Sequence, residues 1–233
     1  MAEIIVALDV PDRSRALDLV EQLGDAADFY KVGLQLFTGW GPAAVTELRE
    51  RGKRVFLDLK LHDIPNTVAS AVHSAGALGA ELLTVHASGG ERMLRAAVEA
   101  AEASSGGPRI LAVTVLTSLG DSEVAAAWGR DGVAIEQEVL RLGSLATGAG
   151  VHGLVASARE AGVLRQELGP APLLVTPGIR LPGGAAHDQA RVMTPRTAVE
   201  MGADFLVVGR TVTAAPDPMA AFGRVRAEIM EAA

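Results

Sequence analysis

The chain has no cysteine, one tyrosine, two tryptophans and five phenylalanines among 233 residues. Without cysteine there is neither a disulfide framework nor thiolate chemistry, which fits a reducing cytoplasm. Trp40, Trp128 and the few phenylalanines read as core or interface packing. The net charge is −7, and no stretch gathers Lys and Arg on one face. Neither nucleic acid nor an anionic membrane surface is an expected partner, and an anionic ligand would need local positive charge. No apolar run is long enough to span a bilayer, and the opening Met-Ala-Glu-Ile-Ile lacks a basic region and a cleavage pattern, so a cytoplasmic protein is expected. The five histidines show no metal-binding spacing, and a histidine zinc site is not expected.

What the chain does have is alternation. Short β-branched or apolar runs at 4–9, 28–32, 54–60, 82–86, 110–115, 152–155, 173–175 and 204–208 read as strands. Between them, helical spacing is read over 15–23, 39–51, 64–78, 91–103, 133–147, 158–168 and 197–201. A last helix follows Thr211 after interruption by Pro216 and Pro218. Residues 119–128 read as a loop with a short helix, and 177–189 as a long Gly/Pro-rich loop. Strand ends at Asp9, Lys31, Lys60 and His86 recur at roughly 20 to 30 residues, the length of a βα unit. A closed eight-stranded barrel and an open doubly wound sheet both accommodate such alternation. The first βα turn, Asp9-Val10-Pro11-Asp12, has no G-x-G-x-x-G, which favours the (β/α)8 TIM barrel over a dinucleotide-binding sheet. No linker or composition break divides the chain, so residues 1–233 are expected to form a single domain.

The pattern is densest at Phe56-Leu57-Asp58-Leu59-Lys60-Leu61-His62-Asp63-Ile64-Pro65-Asn66-Thr67. Strand alternation turns Asp58 and Lys60 to one face and Val55, Leu57, Leu59 and Leu61 to the other, and Pro65 suits a helix start. In a barrel, Asp9, Lys31, Asp58, Lys60, Thr117 and Arg210 all fall at or just past strand ends, where an active face forms. Inward charges cost several kcal/mol per ion unless paired, which an alternating chain Lys31–Asp58–Lys60–Asp63 would supply. Gly209, leading into Arg210 and Thr211 at a helix start, suits an anion site after the last strand. Plainer roles compete at some positions: Asp9 as a helix N-cap, Arg180 as a tether of its own loop, and His86 and His62 as structural histidines.

Together with Ala7-Leu-Asp9, Lys31-Val-Gly33, Val85-His-Ala-Ser-Gly89, Leu116-Thr-Ser118, Pro177-Gly-Ile-Arg180 and Val208-Gly-Arg210, the D-x-K-x-x-D-I-P-N-T decapeptide resembles the bacterial orotidine 5′-phosphate decarboxylases. The resemblance implies metal-free and cofactor-free conversion of orotidine 5′-phosphate to UMP and carbon dioxide, the last step of de novo UMP synthesis. It implies Lys60 as proton donor to the pyrimidine C6, Asp58 beside the substrate carboxylate, and Lys31 orienting the array. Asp63 and Thr67 would come from the partner subunit of a homodimer. Asp9 would bind the ribose hydroxyls, and Thr117, or Ser118 in its place, the pyrimidine edge. Arg180, Gln189, Gly209 and Arg210 would hold the phosphate region, with the 177–189 loop closing over the ligand. Magnesium-dependent enzymes acting on 3-keto-gulonate 6-phosphate or hexulose 6-phosphate also use D-x-K-x-x-D, but lack the continuation at Ile64 to Thr67. A non-catalytic nucleotide sensor is a rival from another class; an intact Lys60 between aspartates argues against it.

Overall fold

The computed structural model describes residues 1–182 and 193–232. Eight parallel strands close into a barrel in sequence order: β1 (Glu3–Ala7), β2 (Phe29–Gly33), β3 (Arg54–Leu61), β4 (Leu82–His86), β5 (Arg109–Val113), β6 (Gly153–Val155), β7 (Leu173–Thr176) and β8 (Phe205–Val208). Closure is made by β1 on β8, with Glu3 opposite Phe205 and Val6 opposite Val208. The helices are α1 (Arg13–Leu23), α2 (Leu34–Trp40), α3 (Ala43–Glu50), α4 (Pro65–Ala77), α5 (Glu91–Glu102), α6 (Asp121–Trp128), α7 (Ile135–Gly148), α8 (Ala158–Leu168), α9 (Pro195–Glu200), α10 (Arg210–Thr213) and α11 (Pro218–Met230). This is the (β/α)8 TIM barrel that the alternation of short apolar runs and amphipathic segments implies.

Strand periodicity divides the apolar residues into two layers. Val6, Leu8, Tyr30, Val32, Val55, Leu57, Leu83 and Val85 face outward and pack with helix residues such as Leu19, Leu48, Val72 and Leu94. Ile5, Ala7, Phe29, Phe56, Leu82, Leu111, Val113, Val155, Val175, Phe205 and Val207 fill the interior. Each buried Phe, Leu, Ile or Val contributes roughly 1.5–3 kcal/mol relative to exposure. Of the phenylalanines expected to be packing, Phe29, Phe56 and Phe205 serve that purpose inside the barrel, where the Phe29 and Phe205 rings meet edge to face at 5.9 Å. Trp128, by contrast, is 39% exposed at the end of α6.

Two element assignments change. The helix expected over 39–51 is two helices, α2 and α3, because Gly41 caps α2 at φ 73° and Pro42 cannot continue its hydrogen bonding. Likewise the terminal helix is preceded by a separate turn, α10, and α11 starts on Pro218 with Asp217 accepting from Ala220 N. Among the described residues no helix is long and apolar enough to cross a membrane.

Candidate active site

The C-terminal ends of the strands open into a cavity of about 510 Å³, within the usual size of a small-molecule site. Its floor is apolar: Ala7, Phe56, Val113, Val155 and Val207, the uppermost inward apolar residues of their strands. Its walls are charged. Asp9, Lys31, Asp58, Lys60, Arg180 and Arg210 all line it, as do Thr117, Ser118 and Gly209. Among the described residues of this lining, positive side chains outnumber carboxylates by two, although the whole chain carries −7. The local positive charge that an anionic ligand would need is therefore present, and an apolar floor under it strengthens its field.

The charges are wired in sequence along three neighbouring strands. Asp9, just past β1, receives Lys31 Nζ at 2.8 Å; Lys31 also reaches Asp58 Oδ2 at 3.4 Å; Lys60 Nζ donates to Asp58 Oδ1 at 2.7 Å. Asp58 and Lys31 are both only 8% exposed. Burial alone would raise the Asp58 pKa, but the Lys31 and Lys60 ammoniums outweigh it and hold that carboxyl below its usual range. Burial alone would lower the Lys31 pKa, and the Asp58 and Asp9 carboxylates outweigh it, so this lysine is raised. Asp58 and Lys31 thus offset one another's desolvation.

Two local features make the wiring possible. Gly33 stands opposite Asp58 in the ladder, and a Cβ there would come within 2.8 Å of both Asp9 Oδ1 and Lys31 Nζ. Lys60 has φ 52°, the one non-glycine residue with positive φ among those described. That conformation costs about 1–3 kcal/mol in a residue with a Cβ. It coincides with a break in the β3–β4 ladder, which runs from Leu57–Leu83 directly to Leu61–Val85.

On the opposite wall, Gly178 turns the chain after β7 with φ 80°. Arg180 then follows as a buried residue whose Nη1 donates to Ile179 O at 2.8 Å. The loop-tether role weighed for it is thus real, and it lines the cavity as well. Burial, then the neighbouring Arg210 charge, lowers the Arg180 pKa. Two guanidiniums close enough to oppose each other's charge favour an anion between or beside them.

Other expected residues fall elsewhere. Asp9 does not cap α1; Asp12 does, accepting from Arg15 N at 2.9 Å. Within one chain, Asp63 does not complete the charged series: it is exposed and accepts from Ile64 N at 2.6 Å. No Asp63–Lys60 ion pair forms among the described residues; the array ends at Lys60, and Asp9 extends it at the other end, beyond Lys31. Thr67 lies exposed in the first turn of α4 on the same rim, outside the cavity lining. Gln189 lies outside the described residues. His86 is outside the lining too, its ring 5.5 Å from His62, and burial followed by the His62 and Lys60 charges lowers its pKa. Thr84 was not anticipated: its hydroxyl donates to Asp58 Oδ1 and accepts from Lys60 N, both at 2.9 Å. The available signal was a lone hydroxyl at an inward position of an apolar strand. Among the described residues no group of three or more His, Asp or Glu is placed to hold a metal ion.

A family model described as "Orotidine 5′-phosphate decarboxylase / HUMPS family" matches residues 2–225. The chain belongs to that family. An orotidine 5′-phosphate decarboxylase from Moorella thermoacetica is 50% identical over 232 residues, covering 97% of this chain and 92% of the relative. One from Nitrosococcus oceani is 50% identical over 228 residues, 98% of this chain and 97% of the other. The crystal structure of orotidine 5′-phosphate decarboxylase from Lactobacillus acidophilus superposes with a TM-score of 0.87 at 36% identity, covering 98% of this chain and 99% of that one. At this level of identity over nearly the whole length, this member of the orotidine 5′-phosphate decarboxylase / HUMPS family is an enzyme of the carboxy-lyase class.

Proposed function

We propose that the chain converts orotidine 5′-phosphate to UMP and carbon dioxide, with Lys60 as proton donor and without metal or cofactor, as the last step of de novo UMP synthesis. The observation that carries the reading is the Lys60 ammonium, held 2.7 Å from Asp58 Oδ1 on the wall of a cation-rich cavity. The whole chain would act as one catalytic domain.

In this scheme the bond from C6 to the carboxylate breaks, its electron pair stays on C6, and carbon dioxide leaves. The Lys60 ammonium gives its proton to C6, and the neutral amine is reprotonated from solvent. An ammonium beside the developing negative charge stabilises the transition state more than the substrate, which is the difference that raises a rate. Asp58 would lie beside the substrate carboxylate while holding Lys60 in place, and Lys31 would orient Asp58. Asp9, beyond its bond to Lys31, retains an exposed carboxylate suited to ribose hydroxyls. Thr117, or its neighbour Ser118, would meet the pyrimidine edge. Arg180 and Arg210 would take the phosphate with Gly209 and Gln189; residues 183–189 of the loop expected to close over the ligand lie outside the described residues.

Asp63 and Thr67 support a shared site in a homodimer. Both are exposed on the rim beside Ile64, which is 67% exposed, an arrangement suited to crossing into a second subunit. Loss of the orotidine ultraviolet absorbance during turnover tests the reaction directly. Activity surviving exhaustive EDTA treatment would support metal independence; activity lost and restored by magnesium would refute it. Mixing Asp63→Ala and Lys60→Ala proteins under subunit exchange should recover part of the activity, since a mixed dimer assembles one intact site. No recovery in verified mixed dimers would refute the shared site.

A further inference from the structure

Thr84 has no part in the reaction scheme. It lies in the middle of β4, fully buried and outside the cavity lining. Its neighbours Leu83 and Val85 pair with Leu57 and Leu61, so two steps along β4 span four along β3. The surplus on β3 is the segment that carries Asp58 and Lys60.

A ladder interrupted in this way leaves backbone groups to be satisfied by other means. The backbone N–H of Lys60 is met by the Thr84 hydroxyl oxygen at 2.9 Å, and the same hydroxyl donates its proton to Asp58 Oδ1 at 2.9 Å. Asp58 Oδ1 also receives Lys60 Nζ at 2.7 Å. Lys60 is therefore tied to one carboxylate oxygen twice, directly through its ammonium and through Thr84 at its backbone. A hydroxyl can do this because it is donor and acceptor at once. Valine has nearly the same shape and can do neither.

We propose that Thr84 is a positioning residue, whose hydroxyl bridges the Asp58 carboxylate and the Lys60 backbone and keeps Lys60 in the left-handed conformation that delivers its ammonium to the cavity. The proposal rests on the reading of Lys60 as proton donor for its effect on turnover, but not for its effect on geometry. Without the bridge, the left-handed conformation loses the partner that compensates it, and the segment relaxes toward an ordinary strand. The ammonium then shifts relative to the reacting carbon, and a displacement near 1 Å is enough to slow a reaction on the order of a hundredfold.

The test compares wild type, Thr84→Val and Thr84→Ser for turnover of orotidine 5′-phosphate, UMP affinity and crystal structure. Thr84→Val should lose kcat on the order of a hundredfold while its KM and UMP affinity stay within about threefold, because the phosphate and ribose contacts lie elsewhere. Thr84→Ser, which keeps the hydroxyl, should recover most of the loss. In the Thr84→Val crystal structure Lys60 should have left positive φ. Wild-type kcat in Thr84→Val, or equal losses in Thr84→Val and Thr84→Ser, would overturn the proposal. If wild type fails to turn over the substrate, the functional reading is what fails. The φ of Lys60 in Thr84→Val then decides this proposal alone, and an unmoved Lys60 overturns it. Should Thr84→Val not fold, Thr84→Ala is put through the same measurements with the same criteria.

Discussion

At the N-terminal mouth of the barrel, Arg54 bonds Glu81 through two nitrogens at 2.8 Å, pairs with Glu3, and lies 4.1 Å over the Phe29 ring. Arg109 joins the same Glu81 at 3.0 Å. At the C-terminal mouth, Asp9, Lys31, Asp58 and Lys60 form a chain of similar length from lysines and aspartates. The difference lies in side-chain chemistry and backbone cost. Arg54 and Arg109, on regular strand positions, meet Glu81 just before β4 at the N-terminal mouth, Arg54 in a forked pair, and the Arg54 pKa is raised, first by its bond to Glu81. The upper network instead uses ammonium groups, whose protons can be given away, and holds one of them on a strained backbone beside an open cavity. One end of the barrel is arranged for stability, and the other accepts backbone strain to hold an ammonium at the cavity.

The comparison can be broken by experiment. The largest effect is expected at Lys60→Ala, which should lose about 10³-fold or more in kcat with UMP binding retained, since on the proposed mechanism proton transfer and charge stabilisation would vanish together; steady-state kinetics and calorimetry check this. Next, Asp58→Asn should cost about 3–5 kcal/mol at neutral pH, because two buried-side ammoniums lose their shared counter-charge. Its pH dependence has a fixed sign. The folded Asp58 pKa is depressed, so its stabilisation is full above the unfolded value near ~4 and fades as pH falls through the folded value. Urea unfolding of wild type and variant should therefore converge in acid, and a gap independent of pH would contradict the assignment.

At the other mouth, Arg54→Met should lower stability by about 1–3 kcal/mol through lost charge-assisted bonds, read as a lower thermal midpoint, with kcat unchanged. A drop in kcat at full folding would erase the contrast between the two ends. The smallest expected effect is at Gly33→Ala. Its added methyl meets only side-chain ends, Asp9 Oδ1 and Lys31 Nζ, so these can move aside at little cost in stability. The array is displaced, and kcat/KM should fall about tenfold while the thermal midpoint moves by less than that of Arg54→Met.

Much of this was legible in the chain. Strand positions followed from period-two runs, and inward parity followed for Asp9, Lys31 and Asp58 because each continues a row of buried residues, Ile5 and Ala7, Phe29, or Phe56. The break at Gly41-Pro42 was marked by the residues themselves, yet helical spacing ran through it and masked it. The partner of Asp63 was not legible, since its local bond to Ile64 N competes with any ion pair at a distance. Nor was Thr84, whose role depends on which residues of β3 stand opposite it.

The order of apolar runs, turns and rim charges belongs to the sequence alone, because side-chain alternation and helix periodicity are local properties of the chain. Which charges meet is a different matter. Asp9 reaches Lys31 across 22 residues and Thr84 reaches Asp58 across 26, contacts that exist only once neighbouring strands have registered. The left-handed backbone of Lys60 is likewise set by the interrupted β3–β4 ladder, where the pairing of two strands outweighs the preference of one residue.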